Sequence, residues 1–311
     1  MSFNPEKWNV DLTKHRKRFF IGSGLSIVLG IVLLLTFGLN LGVDFESGSN
    51  VEIQADQTLT QEQLLDDFAA INESYTPNIT LGGEQSQSAT ARFTVELSKD
   101  EITTIQTYFQ DKYGHSPNVS TVSPLVGQEL ARNAILSVLI ASIGIVIYIG
   151  LRFHYLYGVS AVIGLLHDAF IIIALFSLFQ VEINVPFIAA VLTVVGYSIN
   201  DTIVTFDRMR ENINKEKEIN SFEHLAQIVN KSLLQVLTRS INTVLTVLFA
   251  AVALLIFGGE AIRSFSLALV IGLIAGTYSS MFLCAQMWLV WEWKRQKKLK
   301  NKPKKTEEEY I

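Results

Sequence analysis

The chain holds one cysteine, Cys284, among 311 residues. An intrachain disulfide is thereby excluded, and cysteine usage says nothing about the redox compartment. Histidine is also scarce, at five. No His/Cys cluster has metal-ligand spacing, no Ser/His/Asp set offers a nucleophile, and no glycine-rich phosphate loop occurs. No metal, no cofactor and no enzymatic activity are therefore expected. The basic residues have no aromatic platform among them, which argues against nucleic-acid binding. No small-x-small cleavage site follows the first apolar run, and that run exceeds the roughly 7–15 residues of a signal-peptide core. It reads as an uncleaved anchor.

The most informative lack is of charge, because long stretches carry none. Hydrophobic residues make up 49% of the chain, and they cluster. Crossing a hydrocarbon layer of about 30 Å takes about 20 mostly apolar residues in a helix. Six runs meet that length: 19–39, 133–151, 156–179, 187–206, 240–257 and 264–291. The last is long enough to tilt or to pass the interface. Six such helices are expected to span a membrane, with a folded soluble domain between the first and second.

The placement of Lys and Arg sets the expected orientation. Five precede span one, one lies between spans two and three, six fall between spans four and five, and eight lie in the tail from Lys294 to Lys305. That places 20 of the 25 on one side. Residues 1–18, a loop over 207–238 and a basic tail over 292–311 are expected in the cytoplasm, with both termini there. The tail's charge reads as solvated positive-inside charge, with a ribosome or lipid site as the alternative.

Residues 43–127 differ in composition, with thirteen acidic side chains against three basic. Alternation at 51–53 predicts a strand. A helical pattern follows over 61–71, with Thr60 as its cap. Strands are expected near 78–81, 91–97 and 118–122, and Ser98 heads a helix over 99–112. The order β-α-β-β-α-β is that of a ferredoxin-like α+β unit. Its acidity reads first as solvation, and second as a surface for a basic partner such as an unfolded polypeptide.

Ionisable groups inside a span cost roughly 2.5–3.5 kcal/mol on insertion scales and usually face a cavity or a partner. Three places break the spans: His167-Asp168 in span three; Ser198, Asn200, Asp201 and Thr202 in span four; and Arg239, Asn242 and Thr243 at the start of span five. Asp201 either marks the interfacial end of its span or works inside the membrane. It lies six residues before Asp207, about 9 Å deeper at 1.5 Å per residue, which favours the second reading. On a helix it shares a face with Tyr197, Ser198 and Thr205. Arg239 is either a positive-inside residue or the partner of Asp201, and His167-Asp168 either packs helices or has a function. Protonating an Asp paired with Arg would release their attraction, so a proton relay is a plausible use of such a pair. Gly272-x-x-x-Gly276 reads as close helix packing.

These residues resemble a known family. Gly42-Val-Asp44-Phe45-Glu-Ser-Gly48 is similar to the Gly-x-Asp-Phe-x-Gly-Gly motif of the SecD/SecF translocation proteins, with Ser47 where Gly usually stands. The segment from Val122 to Leu130 is similar to the opening of their second span. The run from Gly196 to Asn212 resembles the SecF signature, and Arg239-Ser-Ile-Asn-Thr243 and Gly276-Thr-Tyr-Ser-Ser280 also fit. The resemblance implies one half of a twelve-span assembly of the resistance-nodulation-division type in the bacterial cytoplasmic membrane. Its partners would be SecD, the SecYEG channel, YajC, functionally SecA, and the exported unfolded polypeptide. The coupling ion would be H+. The family's proton-conducting Asp falls on Asp201 and its essential Arg on Arg239. Two other uses stay open: a scaffold that conducts no protons, and half of a proton-driven small-molecule or lipid exporter.

Overall fold

The computed structural model describes residues 10–82 and 86–300. Lys7 of the N-terminal segment, Glu84 of the soluble domain and Lys302, Lys304 and Lys305 of the tail lie outside the described residues. Among the described residues, six helical segments are long and apolar enough to cross a membrane. The first, α1 (Arg16–Phe37), is apolar all round and buries little of itself, as expected of a helix whose sides meet lipid rather than water. It ends at Gly38, whose φ of 68° stops the helical turn.

A one-turn helix α2 (Val43–Glu46) leads into the soluble domain. Strand β1 (Gly48–Gln54), helix α3 (Gln61–Ile71), strands β2 (Asn78–Gly82) and β3 (Ser88–Phe93), helix α4 (Lys99–Tyr113) and strand β4 (Asn118–Val122) follow. The sheet order is β2-β3-β1-β4, antiparallel at every pairing. Strand residues alternate, so Val51, Ile53, Ala89, Ala91 and Phe93 meet Leu64, Phe68, Ile105 and Phe109 of the helices in one core. Both helices start where the sequence places them. The Thr60 hydroxyl accepts the Gln63 N–H, and Ser98 and Glu101 form a reciprocal capping box.

The third strand is displaced from the reading of 91–97. It runs Ser88–Phe93, and the chain then leaves the sheet because the Ser49 hydroxyl accepts the Leu97 N–H at 3.0 Å. A side-chain acceptor has replaced a ladder partner, which periodicity does not reveal.

The membrane helices are α5 (Pro124–Arg152), α6 (Tyr155–Phe179), α7 (Val185–Asn214), α8 (Phe222–Phe257) and α9 (Glu260–Tyr278). The sixth span continues from α9 through a π-helical segment, Ser279–Cys284, into α10 (Ala285–Lys300). Helix α5 begins nine residues before its apolar run, at a proline suited to a first turn. Residues 207–238 are not a loop. Helix α7 runs on to Asn214 and α8 starts at Phe222, leaving only 215–221 between them. The extensions are amphipathic: Phe206, Met209, Leu225, Val229 and Leu233 pack with Tyr157 and Trp288 in one cluster at the end away from the soluble domain.

Helix α7 is central, packing on α5, α6, α8, α9 and the π segment. The glycines of α9 permit that approach. A Cβ on Gly272 would lie 2.3 Å from Val194 Cγ2, and one on Gly276 would lie 3.1 Å from Ser198 Cβ. The small-residue spacing does act as helix packing.

Candidate functional site: a polar cavity beside the central helix

The α7 helix is fixed at its outer end before its polar stripe begins. The Asn184 side chain accepts the Phe187 N–H at 3.1 Å and also the Ser264 hydroxyl at 2.7 Å. Asp44 Oδ2 accepts the Val185 N–H at 2.9 Å. A carboxylate at a helix N-terminus is favoured both by the free N–H groups and by the helix dipole. Phe45 packs against the neighbouring apolar cluster, and Gly42 N–H bonds the Ile183 carbonyl. Gly48, with φ of 131°, turns the chain into β1 where a Cβ would lie 2.1 Å from the Phe93 carbonyl oxygen. The motif after span one is therefore a joint between the soluble domain and α7.

Three turns into the span, α7 lines a small cavity with Tyr197, Ser198, Asn200 and Asp201. Arg239 and Thr243 of α8 line it too, and Gly272 and Gly276 of α9 close it. The cavity is about 20 Å³, room for a water molecule, which needs roughly 10–15 Å³ measured this way. Asp201 Oδ1 accepts the Ser240 hydroxyl of α8, while Oδ2 is buried with no hydrogen-bond partner among the described residues. Leaving a carboxylate oxygen bare in such surroundings is expensive unless it takes a proton or a water. The arrangement suits an acid that gains and loses a proton.

Not all the polar residues of spans four and five meet there. Asn242 is exposed and outside the cavity lining. Thr202 turns to the sixth span, where its hydroxyl lies 2.8 Å from Ser280 Oγ. Thr205 is fully buried but does not line the cavity, against its expected shared face with Asp201. His167 and Asp168 are buried on α6, with His167 Nδ1 3.3 Å from Asp168 Oδ1. Asp168 Oδ2 accepts Ser198 Oγ at 2.6 Å and Ser279 Oγ at 2.8 Å.

Three residues of these networks went unread: Ser240, Ser279 and Ser280. Isolated serines in apolar helices usually bond their own backbone, so their type gives no signal. The available sign was their place inside the family-like runs Arg239–Thr243 and Gly276–Ser280.

A family model described as "Protein export membrane protein SecD/SecF, C-terminal" matches residues 102–294. It covers Asp168, Asp201 and Arg239. The chain belongs to the SecD/SecF family. A second model, the "SecD/SecF GG Motif", matches residues 32–59 and so takes in Asp44, Phe45 and Gly48. The "Protein translocase subunit SecDF" of Bacillus subtilis is 52% identical over 94% of this chain, which spans 39% of that relative. The "Protein translocase subunit SecF" of Alicyclobacillus acidocaldarius is 42% identical, with 93% of this chain and 94% of that relative covered. The crystal structure of SecDF from Thermus thermophilus, called a translocon-associated membrane protein, superposes with a TM-score of 0.82 at 30% identity. That match covers 95% of this chain and 40% of the other. The chain thus corresponds to the SecF-named members in length and to the SecF-like part of the longer SecDF proteins.

Proposed function

We propose that this chain is an accessory subunit of bacterial protein export. With a SecD-type partner, it uses the proton motive force to move and release polypeptides at the SecYEG channel. YajC is a further partner, and SecA a functional one. The β-α-β-β-α-β domain is a ferredoxin-like module on the outer side of the cytoplasmic membrane, where its acidic surface meets the emerging chain. Both termini and the short 215–221 connection lie in the cytoplasm.

The observation that carries this reading is Asp201 itself, with one oxygen held by Ser240, the other bare, and Arg239 across a water-sized cavity. With a proton on Asp201, its attraction to Arg239 is lost and α7 and α8 are free to separate at that level. With the proton gone, the two charges draw the helices together. A proton falling through 100 mV yields about 2.3 kcal/mol, sufficient to bias two helix arrangements of similar energy. The soluble domain is tied to α7 through the Asp44 joint, so a shift of α7 reaches the outside. Asn200, Ser198 and Thr243 support the site, while Thr202 and Asn242 lie outside it.

The test is Asp201→Asn in the assembled complex. Proton-motive stimulation of export is expected to vanish while the complex still forms. Full stimulation in that variant would leave the scaffold reading, in which the chain holds its partners without conducting protons.

A further inference from the structure

The second intramembrane carboxylate is buried more deeply than the first. Asp168 is 1% exposed and His167 5%. Two hydroxyls converge on the Asp168 carboxylate from separate elements, Ser198 of α7 and Ser279 of the π segment, both donating to Oδ2, while His167 Nδ1 lies 3.3 Å from Oδ1. Such a set offers hydrogen-bond donors to an ionised carboxylate. The same set also accommodates the neutral form, because a hydroxyl can reverse from donor to acceptor. Ser279 Oγ already has a second acceptor in the Gly276 carbonyl at 3.2 Å. With a proton on Oδ2, Ser279 can turn to Gly276 while the new O–H donates to Ser198. Ser198 would then direct its own O–H into the Asp201 cavity, which it lines.

Two further observations point to proton traffic rather than packing. His167 Nε2 is buried with no partner among the described residues. Ser198, which donates to Asp168, also lines the Asp201 cavity. The one π-helical segment among the described residues carries Ser279 into this cluster, and such segments recur at functional sites.

We infer that His167 and Asp168 form a second proton-binding station, fed from the Asp201 cavity through Ser198. The step is a relay without redox change. A proton from the cavity forms a bond to Ser198 Oγ as the original Ser198 O–H bond breaks, its proton passing to Asp168 Oδ2. The extra proton then resides on the Asp168–His167 pair, on the carboxyl group or on Nδ1 of the ring that faces it. The proton comes from the membrane gradient and leaves to water. This inference rests on the proton-coupled reading of Asp201.

Few other ionisable groups face the pair. The π segment brings the Cys284 thiol against Gly164, one turn from Asp168. Helix α9 brings Tyr278, whose ring centroid is 6.1 Å from that of His167 and whose hydroxyl bonds Ser23 and Phe19 of α1. Helix α7 brings Asp201 beyond Ser198, with Arg239 of α8 across the cavity. Helix α1 has no charged side chain from Phe19 to Phe37, and α5 none from Asn133 to Leu151. On α10 the first charge is Glu292, bonded to Arg295 near His154 at the far end of α6.

The test is infrared difference spectroscopy of the chain with its SecD-type partner in lipid vesicles, acidified stepwise. Asp201→Asn is the background, and Asp168→Asn is added to it. The addition is expected to remove one further titrating carboxyl band. Proton flux in Asp168→Asn alone should fall on the order of a hundredfold, the low end for losing a positioned proton-transfer group. Asp168→Glu should restore part of the flux with a shifted pH midpoint. Identical spectra with and without Asp168→Asn would overturn the second station and leave the Asp201 reading intact. A silent Asp201→Asn against wild type would instead sink the proposed function. Should Asp168→Asn fail to assemble, Ser198→Ala keeps both carboxylates and must shift the Asp168 midpoint. An unmoved midpoint there also overturns the inference.

Discussion

At the joint between span one and the soluble domain, two neighbouring residues adopt positive φ. Gly48 does so where only glycine fits, against the Phe93 carbonyl. Ser47, at φ 65° and ψ 161°, occupies a region populated almost wholly by glycine, at a cost of order 1–3 kcal/mol. It stands at the position where the family motif usually carries glycine. Ser47→Gly is therefore expected to stabilise the chain by about 1 kcal/mol, after allowing for the looser unfolded chain. A higher thermal midpoint of the purified protein in detergent is the expected result; an unchanged or lower one would show the serine unstrained. Residue type alone separates the carboxylates poorly. Asp44, Asp67, Asp168 and Asp201 cap a helix, pin two helices together, gather three elements and line a cavity, respectively. Depth within an apolar run distinguished Asp168 and Asp201 from the others, but their partners come from distant segments.

The seam between α3 and α4 shows how an element is held from outside its own sequence. Asp67 of α3 is 3% exposed. It accepts Tyr113 Oη at 2.6 Å and Tyr108 Oη at 3.2 Å, and it pairs with Lys112. Burial, then the bond to Asp67, pushes the Tyr113 hydroxyl well above the ordinary tyrosine range. Lys112 is raised as well, chiefly by its hydrogen bond to Asp67. Both groups hold their protons more tightly folded than unfolded. Their stabilisation is thus complete below pH about 10 and is lost as pH rises beyond it. Absorbance of tyrosinate in the full chain should lag behind that of free tyrosine above pH about 10, and Asp67→Ala should remove part of the lag. That substitution also leaves buried donors without an acceptor, with an expected loss of about 3 kcal/mol. Normal titration of every tyrosine would refute the seam. The helices themselves were legible from caps and periodicity, at Thr60 and Ser98 above all. The end of β3 was not, because a serine hydroxyl from β1 decides it.

For the whole molecule, one fact makes topology directly testable. The single native cysteine, Cys284, is fully buried, so introduced cysteines report without background. Thr80→Cys on the exposed side of β2 and Lys217→Cys in the short α7–α8 connection are expected to react with an impermeant maleimide from opposite sides of the membrane. Reaction from the same side would overturn the proposed arrangement. The molecule also spans only 39% of the Bacillus subtilis relative and 40% of the Thermus thermophilus chain. The faces of α1, α5 and α8 that it leaves exposed carry Leu35, Leu151, Phe249 and Phe257. Such apolar faces suit lipid, because membrane helices need no water-driven burial to be stable.

The sequence by itself determined the six spans, their alternation with an acidic α+β insert, and which ionisable residues interrupt the apolar runs. These follow from length, apolar runs and local capping, which neighbouring residues control. Only the tertiary structure decided which of those polar residues share a site. It placed Asp201 with Ser240 and across a cavity from Arg239, and turned Thr202 and Asn242 elsewhere. It gathered Asp168, Ser198 and Ser279 from three separate segments. Helix rotation and the π segment set those directions, with α9 packed closely on α7 at Gly272 and Gly276. That closeness is a property of the packed bundle, so no single helix encodes it.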